Sequence, residues 1–211
     1  MPTPTRPNGR DTRMRQSLAM EAARILAASG GRDYFAAKRK AAAHLGAHDT
    51  RNMPSNAEIE QALMEYQRIF HADTQPEQLR RLRQAALEAL EFFADFSPRL
   101  VGPVLNGTAD AHTPVTLHLF SDTPEAVGLF LLQHRVPYDE ASSRLRFGSE
   151  AAVAYPSFRF VAGEHRVEVI VFPVDGQRQA PLSPVDARPM RRANADAVRA
   201  LLHETADGLV P

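Results

Sequence analysis

The sequence contains no cysteine among its 211 residues. This absence excludes a disulfide framework, a cysteine-ligated zinc site and a cysteine nucleophile. The chain also has no excess of either charge, because 25 lysines and arginines balance 25 aspartates and glutamates. No overall field therefore favours nucleic acid or a membrane surface. No apolar run approaches bilayer-spanning length, and the N-terminus has no signal-peptide core. These features predict a soluble cytoplasmic protein without a membrane partner.

Several familiar functional motifs are also missing. The chain has no Walker loop, no Rossmann fingerprint and no Gly-x-Ser-x-Gly elbow. His112, His118 and His165 are scattered and lack the short ligand spacing of a typical metal site. We therefore predict no histidine metal centre.

The N-terminal half has the composition of a helical region. Residues 1–14 are rich in proline and arginine, which predicts a disordered basic tail. Residues 15–97 predict four helices with apolar stripes, and residues 98–211 predict an α/β domain, because β-branched residues and prolines increase after Ser97-Pro98. The overall expectation is an α+β fold with a helical N-terminal part followed by a mixed sheet with flanking helices.

Two helix starts in this half carry capping signals. Ser55 and Glu58 have the spacing of a capping box, in which the serine caps the helix and the glutamate reaches back. Thr74 and Glu77 repeat the same pattern before the fourth helix. The charge run Lys38-Arg39-Lys40 leaves open a contact with nucleic acid or a solvated face.

Strand patterns dominate the second half. Val115–Phe120 alternates, so that Val115, Leu117 and Leu119 share one face and Thr116, His118 and Phe120 the other. Pro124–Arg135 predicts a helix, and Arg144–Phe147 predicts a short strand. Tyr155–Ala162 and Arg166–Phe172 predict a hairpin around Gly163.

The stretch Arg99–Asp122 resembles the active-site region of the nucleotidyltransferase superfamily, which has the polymerase-beta-like fold. The family's Gly-Ser turn corresponds to Gly102-Pro103, and its later glycine to Gly107-Thr108. The family's Asp-x-Asp pair, which binds two divalent metals, corresponds to Pro114 and Thr116. A third carboxylate corresponds to Glu168. The chain thus resembles a diverged or degenerate member.

The resemblance implies a nucleotide or RNA end as ligand, with metal-dependent transfer lost or reduced. Magnesium stays open as a cofactor, although two of the three expected carboxylates are absent, and we expect no tight Mg²⁺ binding by the free protein. Gly102 and Gly107 would let backbone amides approach phosphate. The other residues implied for ligand binding are Thr108, Thr116, Arg188, Arg191 and Arg192. The alternative is a non-catalytic RNA- or protein-binding module, with the helical N-terminal part as the docking surface for a protein.

Glu168 stands among apolar residues on a predicted strand, where an ionised carboxylate is costly unless it is paired. It is either a functional acid or the partner of a nearby arginine such as Arg159. We expect the strands Val115–Phe120 and Arg166–Phe172 to be neighbours in one mixed sheet, so that His118 and Glu168 open toward one cleft and form a candidate acid/base pair. The other interpretation is a buried structural pair.

The proline-rich segment 173–192 is long and lacks periodicity, and loops of this length in a compact domain are often functional. It ends in Arg188, Arg191 and Arg192, just before a helix whose predicted N-cap is Asn194. Arginines beside a helix N-terminus favour an anion site. Alternatively, Arg188 and Arg191 pair with acidic residues of the same segment, Asp175 or Asp186.

Overall fold

The computed structural model describes residues 9–29, 33–47, 53–70, 74–148 and 151–207, and it is an α+β structure. This class confirms the sequence-based prediction. The chain divides into two compact units, Met1–Ala72 with Pro184–Asp186, and Asp73–Ser183 with Ala187–Pro211. The composition change at residues 97–98 therefore lies inside the second unit. None of the described helices is long and apolar enough to cross a membrane.

In the residues that the structure describes, the first unit contains three helices, which are α1 (Gly9–Ser29), α2 (Tyr34–His44) and α3 (Asn56–Phe70). Helix α1 packs against both of the others. Many of its buried residues are alanines, whose small side chains let helix backbones approach closely. The core of the first unit includes Leu18, Ala22, Leu26, Tyr34, Ala41, Ile59 and Leu63.

The predicted basic tail needs a correction. Residues 1–8 lie outside the described residues, but α1 begins at Gly9, which lies within the predicted tail of residues 1–14. Arg15, within this first helix, is held by Glu58 of α3, with its Nε 2.7 Å from Oε1. The tertiary ion pair gives the N-terminal turns of α1 a partner that local sequence patterns do not reveal.

The predicted capping box at α3 is confirmed. The backbone nitrogen of Ser55 donates to Glu58 Oε2 at 2.7 Å, and the Glu58 nitrogen donates to Ser55 Oγ at 3.2 Å. The hydrogen bond from Arg15 is the main reason why the pKa of Glu58 is lowered to about 2. In contrast, Thr74 precedes α4 (Gln75–Phe92) without a side-chain capping hydrogen bond. The second predicted cap is therefore wrong, because Thr74 itself has helical dihedral angles.

Within its described ranges, the second unit contains one mixed sheet of five strands. Its strands are β1 (Arg99–Val101), β2 (Val115–Phe120), β3 (Asp139–Leu145), β4 (Val153–Ala162) and β5 (His165–Phe172). The spatial order is β1-β2-β5-β4-β3, and only the β2–β5 pair is parallel. The prediction that β2 and β5 are neighbours in one sheet is confirmed. Strand β3 begins at Asp139 and ends at Leu145, so it only partly overlaps the predicted strand at Arg144–Phe147.

One face of this sheet is covered by helices, and we call it the helix-covered face. The covering helices are α4, α5 (Pro103–Asn106), α6 (Glu125–Gln133) and α7 (Ala195–Asp207). The alternating residues of β2 and β5 that point into this core are Val115, Leu117, Leu119, Val167, Val169 and Val171. Alternation places Thr116, His118, Phe120, Glu168, Ile170 and Phe172 on the opposite side, which we call the second face.

Segment 173–194 connects β5 to α7. It begins with a 3₁₀ turn at Val174–Gln177 and returns to the sheet at Ala193, which forms a bridge with Leu100 of β1. Asn194 then caps α7, as predicted, because its Oδ1 accepts a hydrogen bond from the Ala197 nitrogen at 3.0 Å. These anchors hold Arg192 beside the sheet.

Candidate functional site

The side chain of Arg192 lies across the second face of the sheet. Its guanidinium carbon is 5.0 Å from the ring centroid of Phe120 and 5.4 Å from that of Phe172. Its Nη1 donates to the Gly176 carbonyl at 2.9 Å and its Nε donates to His118 Nδ1 at 3.2 Å. One cation therefore joins the 3₁₀ turn, two aromatic rings and a buried histidine.

His118 is buried on β2, where only 1% of its surface is exposed. Its ring centroid is 4.6 Å from that of Phe172. Because the Nε of Arg192 is a donor, His118 Nδ1 accepts, and the ring proton of the neutral form stands on Nε2. Burial, followed by the charge of Arg192, lowers the pKa of His118 to about 3. His118 is therefore neutral at physiological pH.

An aromatic cavity of about 480 Å³ lies beside this pair. Its lining includes the aromatic residues Phe147, Tyr155 and Phe172, together with Pro173 and Gly176 of the segment that follows β5. The Tyr155 ring is 4.6 Å from Phe172 and 5.9 Å from Phe147, measured between centroids. Phe172 thus contacts His118 and also lines the cavity. Asp175 and Gln179 add polar groups to the lining.

The surroundings of Arg192 carry an excess of positive charge. Arg99 on β1 is the register partner of His118 on β2, so their side chains share the second face. Burial and the charge of Arg99 lower the pKa of Arg192. Arg99 donates to the carbonyls of Ser97 and Pro98. In the described part of the chain, neither Arg99 nor Arg192 takes part in an ion pair. Such an arrangement favours an anion.

Glu168 lies on the same face as His118, but it is engaged elsewhere. Its Oε1 accepts hydrogen bonds from Arg159 Nε at 3.0 Å and Nη2 at 2.9 Å, and from Ser143 Oγ at 3.2 Å. In the parallel register Glu168 stands opposite Thr116, and His118 stands opposite Ile170. Of the two interpretations of Glu168, the structure shows the pairing with Arg159. His118 does not pair with Glu168 and is hydrogen-bonded to Arg192 instead.

The glycine-containing turn makes its own hydrogen bonds. The backbone nitrogens of Gly107 and Thr108 both donate to the Pro103 carbonyl, at 2.9 and 3.0 Å. The Gly107 carbonyl accepts from Gln75 Nε2 at 3.0 Å. These two amides are therefore not free to hold phosphate, which corrects the role that the resemblance implied for them. Gly102 and Gly107 instead have positive φ angles of 75° and 86° at the two ends of α5.

The three arginines of the connecting segment have different surroundings. Arg188 and Arg191 have exposed side chains, whereas Arg192 is half buried against the second face. The Arg188 carbonyl accepts a hydrogen bond from the Ser183 nitrogen within the segment. The second face of the sheet brings together four of the predicted site residues. Thr116, His118 and Glu168 belong to its strands, and Arg192 lies against it.

The sequence-based prediction missed the aromatic cavity. Phe120 and Phe172 stand directly opposite each other at the ends of parallel strands, and Tyr155 contacts Phe172 from β4. Alternating residues of β2 and β5 already place both phenylalanines on the second face. Aligning the two strands by this alternation would have shown the aromatic cluster, although not the segment that completes the cavity.

Comparison with known proteins gives no relative: no family model, curated protein or solved structure matches the chain. Across the ranges that the structure describes, no group of three or more histidine, aspartate or glutamate side chains could share a metal ion. The functional assignment therefore depends on the geometry of the second face.

Proposed function

We propose that this is a nucleotidyltransferase-like protein that binds a nucleotide or an RNA end on the second face of its sheet. Metal-dependent transfer is lost or much reduced in this proposal. The observation that carries it is the position of Phe172, which lines the aromatic cavity and also contacts His118 and Arg192. A flat aromatic ligand would find aromatic residues in the cavity, and an attached anion would lie near Arg192, which packs against the same Phe172.

The chemistry of the cavity suits a nucleobase. Aromatic side chains stack on bases without strong sequence preference. The volume of about 480 Å³ falls within the range of small-molecule pockets, which is about 300–1,000 Å³. The carboxylate of Asp175 and the amide of Gln179 line the same space and can form hydrogen bonds with a base edge or a ribose hydroxyl.

The residues at the positions of the family's metal-binding carboxylates support a loss or reduction of metal-dependent nucleotide transfer. Pro114 has no side-chain ligand, and Thr116 offers a hydroxyl where the family has a carboxylate. The remaining carboxylate, Glu168, is paired with Arg159. A two-metal mechanism needs several negatively charged ligands, and these positions supply only one.

A second candidate function is a non-catalytic module that binds a protein. It is supported by large apolar side chains exposed on the helices of the first unit, which are Met20, Phe35, Ile69 and Phe70. Exposed apolar side chains mark an interaction surface where they form a contiguous patch. This function requires no ligand in the aromatic cavity, so nucleotide binding separates the two candidates.

The test is calorimetric titration of the full chain with AMP, UMP, ATP and a short 5′-phosphorylated RNA. We expect binding that weakens by about 5–100-fold in Phe147→Ala and in Tyr155→Ala, since each loses a stacking surface. The control is Phe35→Ala, which removes an equally large ring that is 75% exposed on the first unit. Its affinity should equal that of the wild type.

The ligand series also distinguishes a mononucleotide from an RNA end. An RNA end is indicated if the phosphorylated oligonucleotide binds more tightly than UMP and loses affinity in the same two variants. The proposal fails if no nucleotide binds at millimolar concentration, or if both cavity variants bind like the wild type. Incubation with labelled ATP, RNA and Mg²⁺ should yield little or no nucleotide transfer.

A further inference from the structure

We propose that His118 Nε2 and Arg192 Nη2 together form a buried binding site for one oxyanion of the phosphate type. This inference rests on the proposed function, because it assigns the phosphate of a nucleotide ligand to a defined pair of donors. The binding atoms belong to β2 and to the segment before α7, which are 74 residues apart in the chain.

The first support is a pair of donors without acceptors. Among the described residues, His118 Nε2 and Arg192 Nη2 are the two buried side-chain atoms that have no hydrogen-bond partner. Nearly all buried polar groups in proteins have a partner. Both atoms are donors, and they belong to side chains that are hydrogen-bonded to each other, so each is left to donate to a further acceptor.

The second support is the direction of the hydrogen bonds. Arg192 Nε donates to His118 Nδ1 at 3.2 Å, which places the histidine proton on Nε2. The Nη2 group of arginine is also exclusively a donor. The missing group must therefore be an acceptor, and an oxyanion has several acceptor atoms but no obligatory donor.

The third support is charge. Arg99 shares the second face with His118, and its hydrogen bonds go to backbone carbonyls rather than to a carboxylate. Arg192 likewise donates to the carbonyls of Gly176 and Gln177. In the structure as described, neither of these two guanidinium groups takes part in an ion pair. A bound anion would compensate their charge in a partly desolvated place, where charge-assisted hydrogen bonds are strong.

The position of Arg192 determines how an anion can reach the two donor atoms. The Arg192 side chain is half buried, and its neighbour Arg191 and the contacting residue Gln177 are exposed, whereas the two donor atoms themselves are buried, so a bound anion requires the surrounding side chains to shift. Phe172 and Gly176 border both Arg192 and the aromatic cavity. A ligand with its base in the cavity would therefore have its phosphate near the donor pair.

The direct test uses the wild-type chain and inorganic phosphate. In a ¹H–¹⁵N spectrum of the histidine side chains, His118 should show a neutral ring with the proton on Nε2. Titration with phosphate should move the Nε2–H signal downfield in a saturable manner, because a hydrogen bond to an anion deshields its proton. This measurement needs no substitution, and hence no variant that must fold.

Two variants then test the atoms. His118→Phe keeps a ring against Phe172 but removes both nitrogens, and Arg192→Lys keeps the charge but removes the planar fork. We expect each to weaken phosphate binding at least about tenfold. The matched control is Arg191→Lys, the same change at the adjacent exposed position, which should bind phosphate like the wild type.

Several results would overturn the inference. An Nε2–H signal that does not respond to phosphate shows that water, and not an anion, satisfies the donors. The same follows if Arg191→Lys weakens binding as much as Arg192→Lys, since the effect is then one of general charge.

Comparing AMP, adenosine and inorganic phosphate separates the two proposals. If adenosine and AMP bind equally and phosphate does not bind, the anion site fails while the nucleotide proposal stands. If phosphate binds at His118 but AMP binds no more tightly than phosphate, the anion site stands and the nucleotide proposal fails.

Discussion

Arg159 on β4 donates two hydrogen bonds to a single oxygen of Glu168 on β5, at 3.0 Å from Nε and 2.9 Å from Nη2. The two residues are direct register partners in the antiparallel β4–β5 ladder. The Glu168 side chain is 18% exposed and that of Arg159 is 57% exposed. The pair thus explains how a carboxylate is accommodated among the apolar residues of β5, and it gives Glu168 a role within the sheet.

We predict that Glu168→Gln destabilises the second unit modestly and leaves nucleotide affinity unchanged. The ion pair is lost, but Arg159 is open to solvent, so the expected loss is about 0.5–1 kcal/mol. Glu168 does not line the aromatic cavity. Urea unfolding and calorimetric titration of the same variant measure the two quantities.

Glu164→Gln is the matched control, because Glu164 is exposed in the turn between β4 and β5. Its stability should equal that of the wild type. A Glu168→Gln variant that keeps its stability but loses nucleotide binding would contradict the structural role. It would instead indicate that Glu168 is a functional acid.

A second prediction concerns the pH dependence of stability. The pKa of His118 is 6.5 in its ordinary state and about 3 in the fold, lowered by burial and then by Arg192. Between these values the unfolded chain binds a proton that the folded chain does not bind. Stability should therefore fall as the pH falls from 6.5 toward 3, by at most about 1.4 kcal/mol per pH unit from this group.

His118→Gln should remove this contribution, whereas His203→Gln, at an exposed position of α7, should keep it. Urea unfolding between pH 5 and 7 gives the slopes, since most carboxylates stay ionised there. Equal slopes for wild type and His118→Gln would show that His118 titrates normally in the folded protein.

The third prediction concerns the two glycines that flank α5. We expect Gly102→Ala to lower the free energy of unfolding more than Gly107→Ala. Gly102 has φ 75° and ψ −155°, a combination that residues with a Cβ rarely adopt, whereas Gly107 has φ 86° and ψ 10° near the left-handed helical region. Gly102→Ala should therefore cost about 1–3 kcal/mol. Gly107→Ala should cost about 1–2 kcal/mol.

Space around the glycines is not the cause of these costs. A Cβ on Gly102 would have no atom within 4 Å, and one on Gly107 would lie 3.9 Å from its nearest neighbours. Chemical denaturation of both variants measures the order. A Gly102→Ala protein as stable as the wild type would mean that the chain does not need this backbone conformation.

The fourth prediction compares two helix starts with similar sequences. Ser55→Ala removes a hydroxyl that accepts from the Glu58 nitrogen and should destabilise the first unit by about 1 kcal/mol. Thr74→Ala removes no side-chain capping bond, so it should change stability by less than about 0.5 kcal/mol. Thermal unfolding of the two variants gives the comparison, and equal losses would contradict the difference in capping.

Much of the local structure followed from residue spacing. The alternation in Val115–Phe120 predicted which side chains share a face, and Ser55 and Asn194 were identified as helix caps. These features depend on residues within a few positions of one another, so periodicity and capping chemistry are sufficient to find them. The α+β class followed for the same reason, since it is the sum of such local patterns.

Only the tertiary structure decided which distant groups meet. Arg192 was one of three candidate arginines, and it packs on Phe120 and donates to His118, 74 positions earlier in the chain. Glu168 had two open roles until the β4–β5 register placed Arg159 opposite it. Such contacts depend on how strands are ordered and on the path of segment 173–194 across the sheet. That path is set by the packing of the whole unit, which no short pattern around either residue contains.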